Sequence, residues 1–64
     1  MSTNIRGKLV EIRDAFIVLT GPTYIMLPPG MKVEHPVGER LTVIVTWDGG
    51  LWTAERIERD AEGE

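Results

Sequence analysis

The sequence predicts one small all-β domain, most simply a five-stranded closed barrel. Apolar and polar residues alternate along most of the chain, as they do on strands with one buried face. Glycine and proline separate these alternating runs at short intervals, which is typical of turns between strands. The chain has 64 residues, which is room for one hydrophobic core and therefore for one domain.

The first predicted strand covers residues 5–13 and contains a change of phase. Ile5 and Leu9 alternate with charged residues in its first part, whereas Val10 and Ile12 do so in its second part. A β-bulge produces such a slip and bends the long strands of small barrels. We therefore expect a bulge near the middle of this strand.

Two short strands are predicted next, over residues 15–20 and 23–27. Both are rich in β-branched and aromatic residues, which favour strands. Gly21-Pro22 separates them, because proline cannot donate a ladder hydrogen bond and glycine tolerates unusual φ angles. An irregular stretch, residues 28–40, follows and holds three of the four prolines.

A hairpin is predicted to end the domain. Residues 41–47 alternate cleanly, Asp48-Gly49-Gly50 has the composition of a tight turn, and residues 51–57 return as a fifth strand. Trp47 and Trp52 flank this turn, and we expect one or both to cap the barrel core. The domain is assigned to residues 1–59. Residues 60–64 are acidic and have nothing to bury, so we expect a disordered tail.

The order of the connections favours an OB-like barrel. Three strands follow one another through tight turns, a long connection comes next, and a hairpin closes the set. The alternative is an SH3-like barrel, which would place its longest loop between the first two strands. A proline-rich segment occupies the place of the usual OB crossover helix.

Three segments resemble small bacterial OB-like domains of unknown function. They are Gly7-Lys8-Leu9-Val10-Glu11-Ile12, Val37-Gly38-Glu39-Arg40-Leu41-Thr42-Val43, and Asp48-Gly49-Gly50 followed by Ala54-Glu55-Arg56-Ile57. The resemblance covers most of the chain. It implies an OB-like fold and a binding role, and it carries no catalytic residues.

The residues needed for enzymatic catalysis are missing from the sequence. Nucleophilic catalysis needs a nucleophile beside a base, but the only serine is Ser2 and there is no cysteine. The only histidine, His35, lies in the proline-rich segment, and Glu34 and Glu39 near it have no helix to fix a metal-binding geometry. We therefore predict no enzymatic activity, no metal site and no cofactor.

A basic stripe is one candidate binding feature. Arg6 and Lys8 are predicted to face outward on the first strand, with Arg13 further along. Residues 1–52 carry five acidic and five basic residues, so the net charge of −3 belongs to the last twelve residues. Such a stripe is a candidate site for nucleic acid. Contacts between basic side chains and phosphates supply most non-specific affinity for nucleic acids, so the neutral charge of residues 1–52 disfavours nucleic-acid binding. Ordinary solvated edge charge is the simpler interpretation of the stripe.

The second candidate is an excess of apolar residues on the second and third strands. A barrel interior can hold Ile17, Leu19, Ile25 and Leu27, which leaves an outer set composed of Phe16, Val18, Tyr24 and Met26. A slip of one residue would exchange part of these sets. We predict that this outer face binds a protein partner or a second copy of the chain. The alternative is a single-stranded nucleic acid, which OB-folds bind on this face.

Membrane and secretion signals are not apparent in the sequence. The first residues lack a charged segment followed by an apolar one. The longest apolar run, residues 15–19, is far shorter than the roughly 20 residues needed to span a bilayer. We therefore expect a soluble, cytoplasmic protein without membrane contact.

Overall fold

The computed structural model describes residues 2–60, which form an all-β, five-stranded closed sheet. Most of the predicted tail, residues 61–64, lies outside the described residues. The strands are β1 (Ser2–Ile12), β2 (Phe16–Leu19), β3 (Thr23–Met26), β4 (Arg40–Asp48) and β5 (Leu51–Arg59). Each lies within three residues of its predicted bounds.

The strands are arranged around the barrel in the order β1-β2-β3-β5-β4, and β4 closes the barrel against β1. The β3–β5 pair is parallel and the other four pairs are antiparallel. The longest connection, residues 27–39, lies between β3 and β4. The predicted sequence of meander, long crossover and hairpin is therefore confirmed.

The predicted bulge in β1 lies between Leu9 and Glu11. Residues 2–8 pair with β4, and the strand pairs with β2 only from Leu9 onward. A Cβ atom on Gly7 would lie 3.0 Å from Thr20 Oγ1, so glycine permits the close approach of the chain at the end of β2. One long strand thus contributes to both halves of the barrel.

Side chains from every strand meet in one core. The fully buried large residues are Leu9, Ile17, Leu19, Ile25, Leu41, Val43 and Val45. Partly buried residues pack against them, and two of these, Met31 and Val33, come from the proline-rich connection. This connection therefore covers part of the core where an OB-like barrel would carry a helix.

The two apolar residues in the second part of β1 do not lie in the core. Val10 and Ile12, which follow the change of phase, are both exposed. Ile12 is the last residue of β1 and lies opposite the fully buried Ile17.

The predicted boundary between the domain and its tail lies one residue too early, because Asp60 is buried. Its backbone N–H donates to the carbonyl of Arg40 at 3.0 Å. Its carboxylate accepts a hydrogen bond of 3.0 Å from Arg6 and lies 3.8 Å from Nε of Arg40. Local composition marks this acidic residue as solvated, whereas its partners lie 20 and 54 positions away in sequence.

The hairpin between β4 and β5 has the predicted tight turn. Asp48 lies opposite Leu51, and the two residues between them, Gly49 and Gly50, have φ angles of 62° and 92°. Positive φ at both central positions matches the twist of a two-residue hairpin and favours glycine. Within residues 2–60 there is no helix of a length and hydropathy that could cross a membrane.

Candidate binding face

The β2–β3 hairpin has the register predicted from the sequence. Phe16 lies opposite Met26 and Val18 opposite Tyr24, while Ile17 lies opposite Ile25. Because opposed residues of an antiparallel pair share a face, the first four side chains all belong to the outer surface. Ile17, Leu19 and Ile25 are fully buried in the interior, and Leu27 packs against the core.

The four outer residues contribute unequally to the surface. Tyr24 is 58% exposed, whereas Val18, directly opposite it, is only 5% exposed and lies outside the main core cluster. The rings of Phe16 and Tyr24 contact each other diagonally across the hairpin, with centroids 5.9 Å apart. Val18 is therefore buried on the outer side of the barrel. It supports the aromatic pair and does not present a contact surface of its own.

Leu51 extends this face onto β5. Ile25 of β3 lies beside Trp52 of β5 in parallel register, so Leu51 lies next to Tyr24 at the preceding position. Trp52 packs against the core, and the alternation of a strand turns Leu51 outward, where it is 54% exposed. Sequence patterns missed Leu51 because they do not reveal which strand lies next to β3.

We use the name β2–β3–β5 face for Phe16, Tyr24, Met26 and Leu51, with Val18 beneath them. Two of these residues are more than half exposed, and two are half-buried. They come from three neighbouring strands of the closed sheet. The face is thus one contiguous apolar surface.

The two tryptophans lie beside this face, at the end of the barrel. Trp47 and Trp52 are opposite each other across the β4–β5 hairpin, with ring centroids 4.7 Å apart in an edge-on arrangement. Trp52 is half-buried and packs against the core, whereas Trp47 is 54% exposed. Trp52 therefore caps the core, and Trp47 covers Trp52.

Carboxylates border the β2–β3–β5 face on two sides. Glu11 of β1 lies opposite Val18, and Asp48 of β4 lies opposite Leu51. Arg13 forms an ion pair with Glu11. The immediate surroundings of the apolar surface are therefore acidic or neutralised.

The cations of the predicted basic stripe lie at different positions along β1. Arg6 and Lys8 lie opposite β4 residues, and Arg13 follows the other end of β1 next to Glu11. Arg6 and Arg40 both face the buried carboxylate of Asp60. Lys8 lies opposite Arg40 and is exposed. Arg6 and Lys8 thus lie two residues apart on one side of β1, whereas Arg13 follows its far end.

His35 belongs to a hydrogen-bonded chain that fastens the proline-rich connection. Its Nδ1 lies 2.7 Å from Oε1 of Glu39, whose Oε2 accepts a hydrogen bond of 3.1 Å from Arg59. His35 also lines a small cleft together with Met31, Lys32, Glu34 and Ile57. Across residues 2–60, histidine and carboxylate side chains do not gather in a group of three that could hold a metal ion.

No protein-family model matches the chain, and no curated protein matches it.

Proposed function

We propose that the chain is a non-enzymatic, OB-like binding module whose β2–β3–β5 face contacts another protein. The observation that carries the proposal is the exposure of Tyr24 and Leu51, each more than half exposed, on the paired strands β3 and β5. Burying an apolar side chain of this kind contributes roughly 1.5–3 kcal/mol. Exposed apolar surface rimmed by polar residues is typical of protein interaction sites.

The charge around the face favours a protein over a nucleic acid. Phosphate contacts with lysine and arginine supply most non-specific affinity for nucleic acids. Here Glu11 and Asp48 border the face, and the guanidinium groups of Arg6 and Arg40 face Asp60. A polyanion would meet the carboxylate of Asp48 and the neutralised pair of Glu11 and Arg13 at this border.

A single-stranded nucleic acid is the second candidate, and the exposed rings favour it. Tyr24 and Trp47 are both more than half exposed, and bases stack on such rings without sequence preference. The two candidates differ in their dependence on salt. Binding of a nucleic acid weakens steeply as salt is raised, whereas apolar contact between proteins does not.

Photo-crosslinking from the face tests the proposal. A benzophenone amino acid replaces Leu51 in one variant and Val37 in a matched control, because Val37 is an equally exposed apolar residue outside the face. We expect the Leu51 variant, and not the Val37 variant, to form a discrete protein adduct in cells expressing the chain. The adduct should survive nuclease treatment, and mass spectrometry would identify its protein component, including a second copy of this chain.

Binding of the identified partner in purified form then decides the matter. Tyr24→Glu should weaken that binding by at least about tenfold, which corresponds to about 1.4 kcal/mol, and Val37→Glu should leave it unchanged. A titration with oligo-dT, monitored by tryptophan fluorescence, tests whether the chain binds a single-stranded nucleic acid. Salt-sensitive binding of oligo-dT that Tyr24→Glu abolishes would replace the protein-binding proposal with the nucleic-acid one.

A further inference from the structure

The second half of β5 has a neighbouring strand on one side only. β3 pairs with Trp52 and Thr53, although β5 continues to Arg59. Residues 54–59 therefore have β4 on one side, and on the other side no strand of residues 2–60 pairs with them. The sheet closes around the barrel, but the contact between β3 and β5 is two residue pairs long.

The direction of the backbone groups along this edge follows from one hydrogen bond. The N–H of Asp60 donates to the carbonyl of Arg40, so these residues are a bonded pair of the β4–β5 ladder. Bonded and non-bonded pairs alternate in an antiparallel ladder. Glu58 therefore bonds to β4, whereas the N–H and C=O groups of Ile57 and Arg59 point away from β4. These four groups form an open strand edge, which readily pairs with another chain.

The side chains of this edge have a charge pattern that is complementary to itself. Residues 55–59 read Glu-Arg-Ile-Glu-Arg. When two copies of this segment run antiparallel about Ile57, Arg56 of each copy lies opposite Glu58 of the other. Glu55 is the extra residue of a bulge in β5, because Ile44 pairs with Arg56 and Val45 with Ala54. The regular part of the edge is therefore residues 56–59. Opposite charges in facing positions stabilise an antiparallel strand pair.

Neighbouring registers bring like charges together. Centring the pair on Arg56 places two arginines opposite each other, and centring it on Glu58 places two glutamates opposite each other. A centre between residues 57 and 58 opposes Arg56 and Arg59. A centre between residues 56 and 57 would pair Ile57 with Arg56, whose backbone groups bond to β4 instead. Directly opposed like charges are destabilising, so the segment favours the register centred on Ile57.

Burial at this edge is consistent with a contact surface. Ile57 is half-buried and lines the cleft beside the proline-rich connection. The side chains of Arg56 and Glu58 are 71% and 43% exposed, so both can reach a second chain. The two form an ion pair of 2.7 Å within one copy. In a dimer, the same two groups can pair with their counterparts in the second copy.

We propose that the chain forms a two-fold symmetric dimer in which β5 of one copy pairs antiparallel with β5 of another, centred on Ile57. Such a contact is self-complementary and closes at two copies. It uses the β5 edge and not the β2–β3–β5 face, so the dimer would carry two copies of that face. The inference is independent of the proposed function.

A charge exchange tests this dimer. The mass in solution of the full chain is measured against concentration by sedimentation equilibrium. Arg56→Glu and Glu58→Arg each place like charges opposite each other, and each should weaken dimerisation by about tenfold or more. The double variant Arg56→Glu/Glu58→Arg restores opposite charges and should dimerise like the parent. Arg13→Glu, which disrupts an exposed ion pair outside the edge, is the matched control and should have no effect.

Amide hydrogen exchange gives a second readout that needs no substitution. The amide of Ile57 should exchange more slowly as the concentration of the parent chain rises, whereas the amide of Glu58 should be protected at every concentration. A mass of one chain at all concentrations would overturn the proposal. Unchanged dimerisation of both Arg56→Glu and Glu58→Arg would also overturn it. Loss of dimerisation in Tyr24→Glu would overturn it as well and would assign self-association to the β2–β3–β5 face.

Discussion

The guanidinium of Arg6 donates a hydrogen bond of 3.0 Å to the carboxylate of Asp60 and thereby joins the first strand to the residue that follows the last. The Asp60 side chain is only 3% exposed, whereas that of Arg6 is 47% exposed. Arg40, on the strand between them, adds a second positive charge 3.8 Å from the same carboxylate. One buried acid therefore ties three neighbouring segments of the barrel together.

Replacing this acid should destabilise the domain. We expect Asp60→Ala to lower the free energy of unfolding by about 1.5–3 kcal/mol, since hydrogen bonds to charged groups contribute on that scale. Truncation after Arg59 should cost at least as much, because it also removes the hydrogen bond from the Asp60 N–H to Arg40. Chemical denaturation measures both effects. Arg13→Ala, which removes an exposed ion pair, is the control and should cost less than about 1 kcal/mol. Equal losses of stability in all three variants would contradict a stabilising role of Asp60 between these segments.

Asp60 also shows where sequence reasoning stops. Strand positions, the bulge after Leu9 and the inner and outer sets of β2 and β3 follow from local alternation, so they could be predicted. Burial of Asp60 and exposure of Leu51 depend on which strands become neighbours in the barrel. The sequence next to Asp60 or Leu51 does not indicate which strands these residues will contact.

Val18 marks a different limit. Its alternation correctly places it on the outer face, opposite Tyr24. Alternation assigns a side to each residue, but the extent of burial depends on the size of its neighbours. Val18 is only 5% exposed, whereas the larger Tyr24 opposite it is 58% exposed.

Gly7 should resist replacement even though its strand is extended. Alanine in a strand is ordinarily more favourable than glycine by about 0.5–1 kcal/mol. At this position, however, the new methyl group would lie 3.0 Å from Thr20 Oγ1 and 3.5 Å from Leu19 Cβ. That hydroxyl oxygen also accepts a hydrogen bond from the backbone N–H of Lys8. We expect Gly7→Ala to destabilise the domain by about 1–3 kcal/mol, as overpacking usually does.

A double-variant cycle isolates the cause. Removing the hydroxyl with Thr20→Ala should reduce the cost of Gly7→Ala, because the residues are in contact and their effects are not additive. The measurement is the free energy of unfolding of the parent, both single variants and the double variant. Additive costs would show that the close approach at Thr20 is not what requires glycine.

The two tryptophans should differ in their contribution to stability. Trp52→Ala removes a half-buried ring that packs against the core, and we expect a loss of roughly 3 kcal/mol, as for other large-to-small core changes. Trp47→Ala removes the more exposed ring of the pair and should cost about 1 kcal/mol, the scale of an aromatic contact. Thermal or chemical unfolding compares them. Near-parental stability of Trp52→Ala together with lost partner binding would instead favour a stacking role for this ring.

Val18 and Tyr24, which face each other across the hairpin, should be destabilised to very different extents by a charged substitution. Tyr24 is 58% exposed, so Tyr24→Glu places its carboxylate in water and loses mainly the contact with Phe16, about 1 kcal/mol. Val18 is 5% exposed, so Val18→Lys forces an ammonium group into a buried position among apolar residues. Burying an unpaired charge is among the few changes that cost more than about 4 kcal/mol. In a small single-core domain, that loss is enough to unfold it.

Circular dichroism and chemical denaturation distinguish these outcomes, and Val18→Thr provides an uncharged control of similar shape. We expect Tyr24→Glu to remain folded, Val18→Thr to be folded and weakened, and Val18→Lys to be largely unfolded. If Val18→Lys folds with near-parental stability, Val18 is solvent-accessible and belongs to the contact surface itself. If Tyr24→Glu unfolds the domain, the tyrosine ring is part of the structural core, and the β2–β3–β5 face loses its most exposed member.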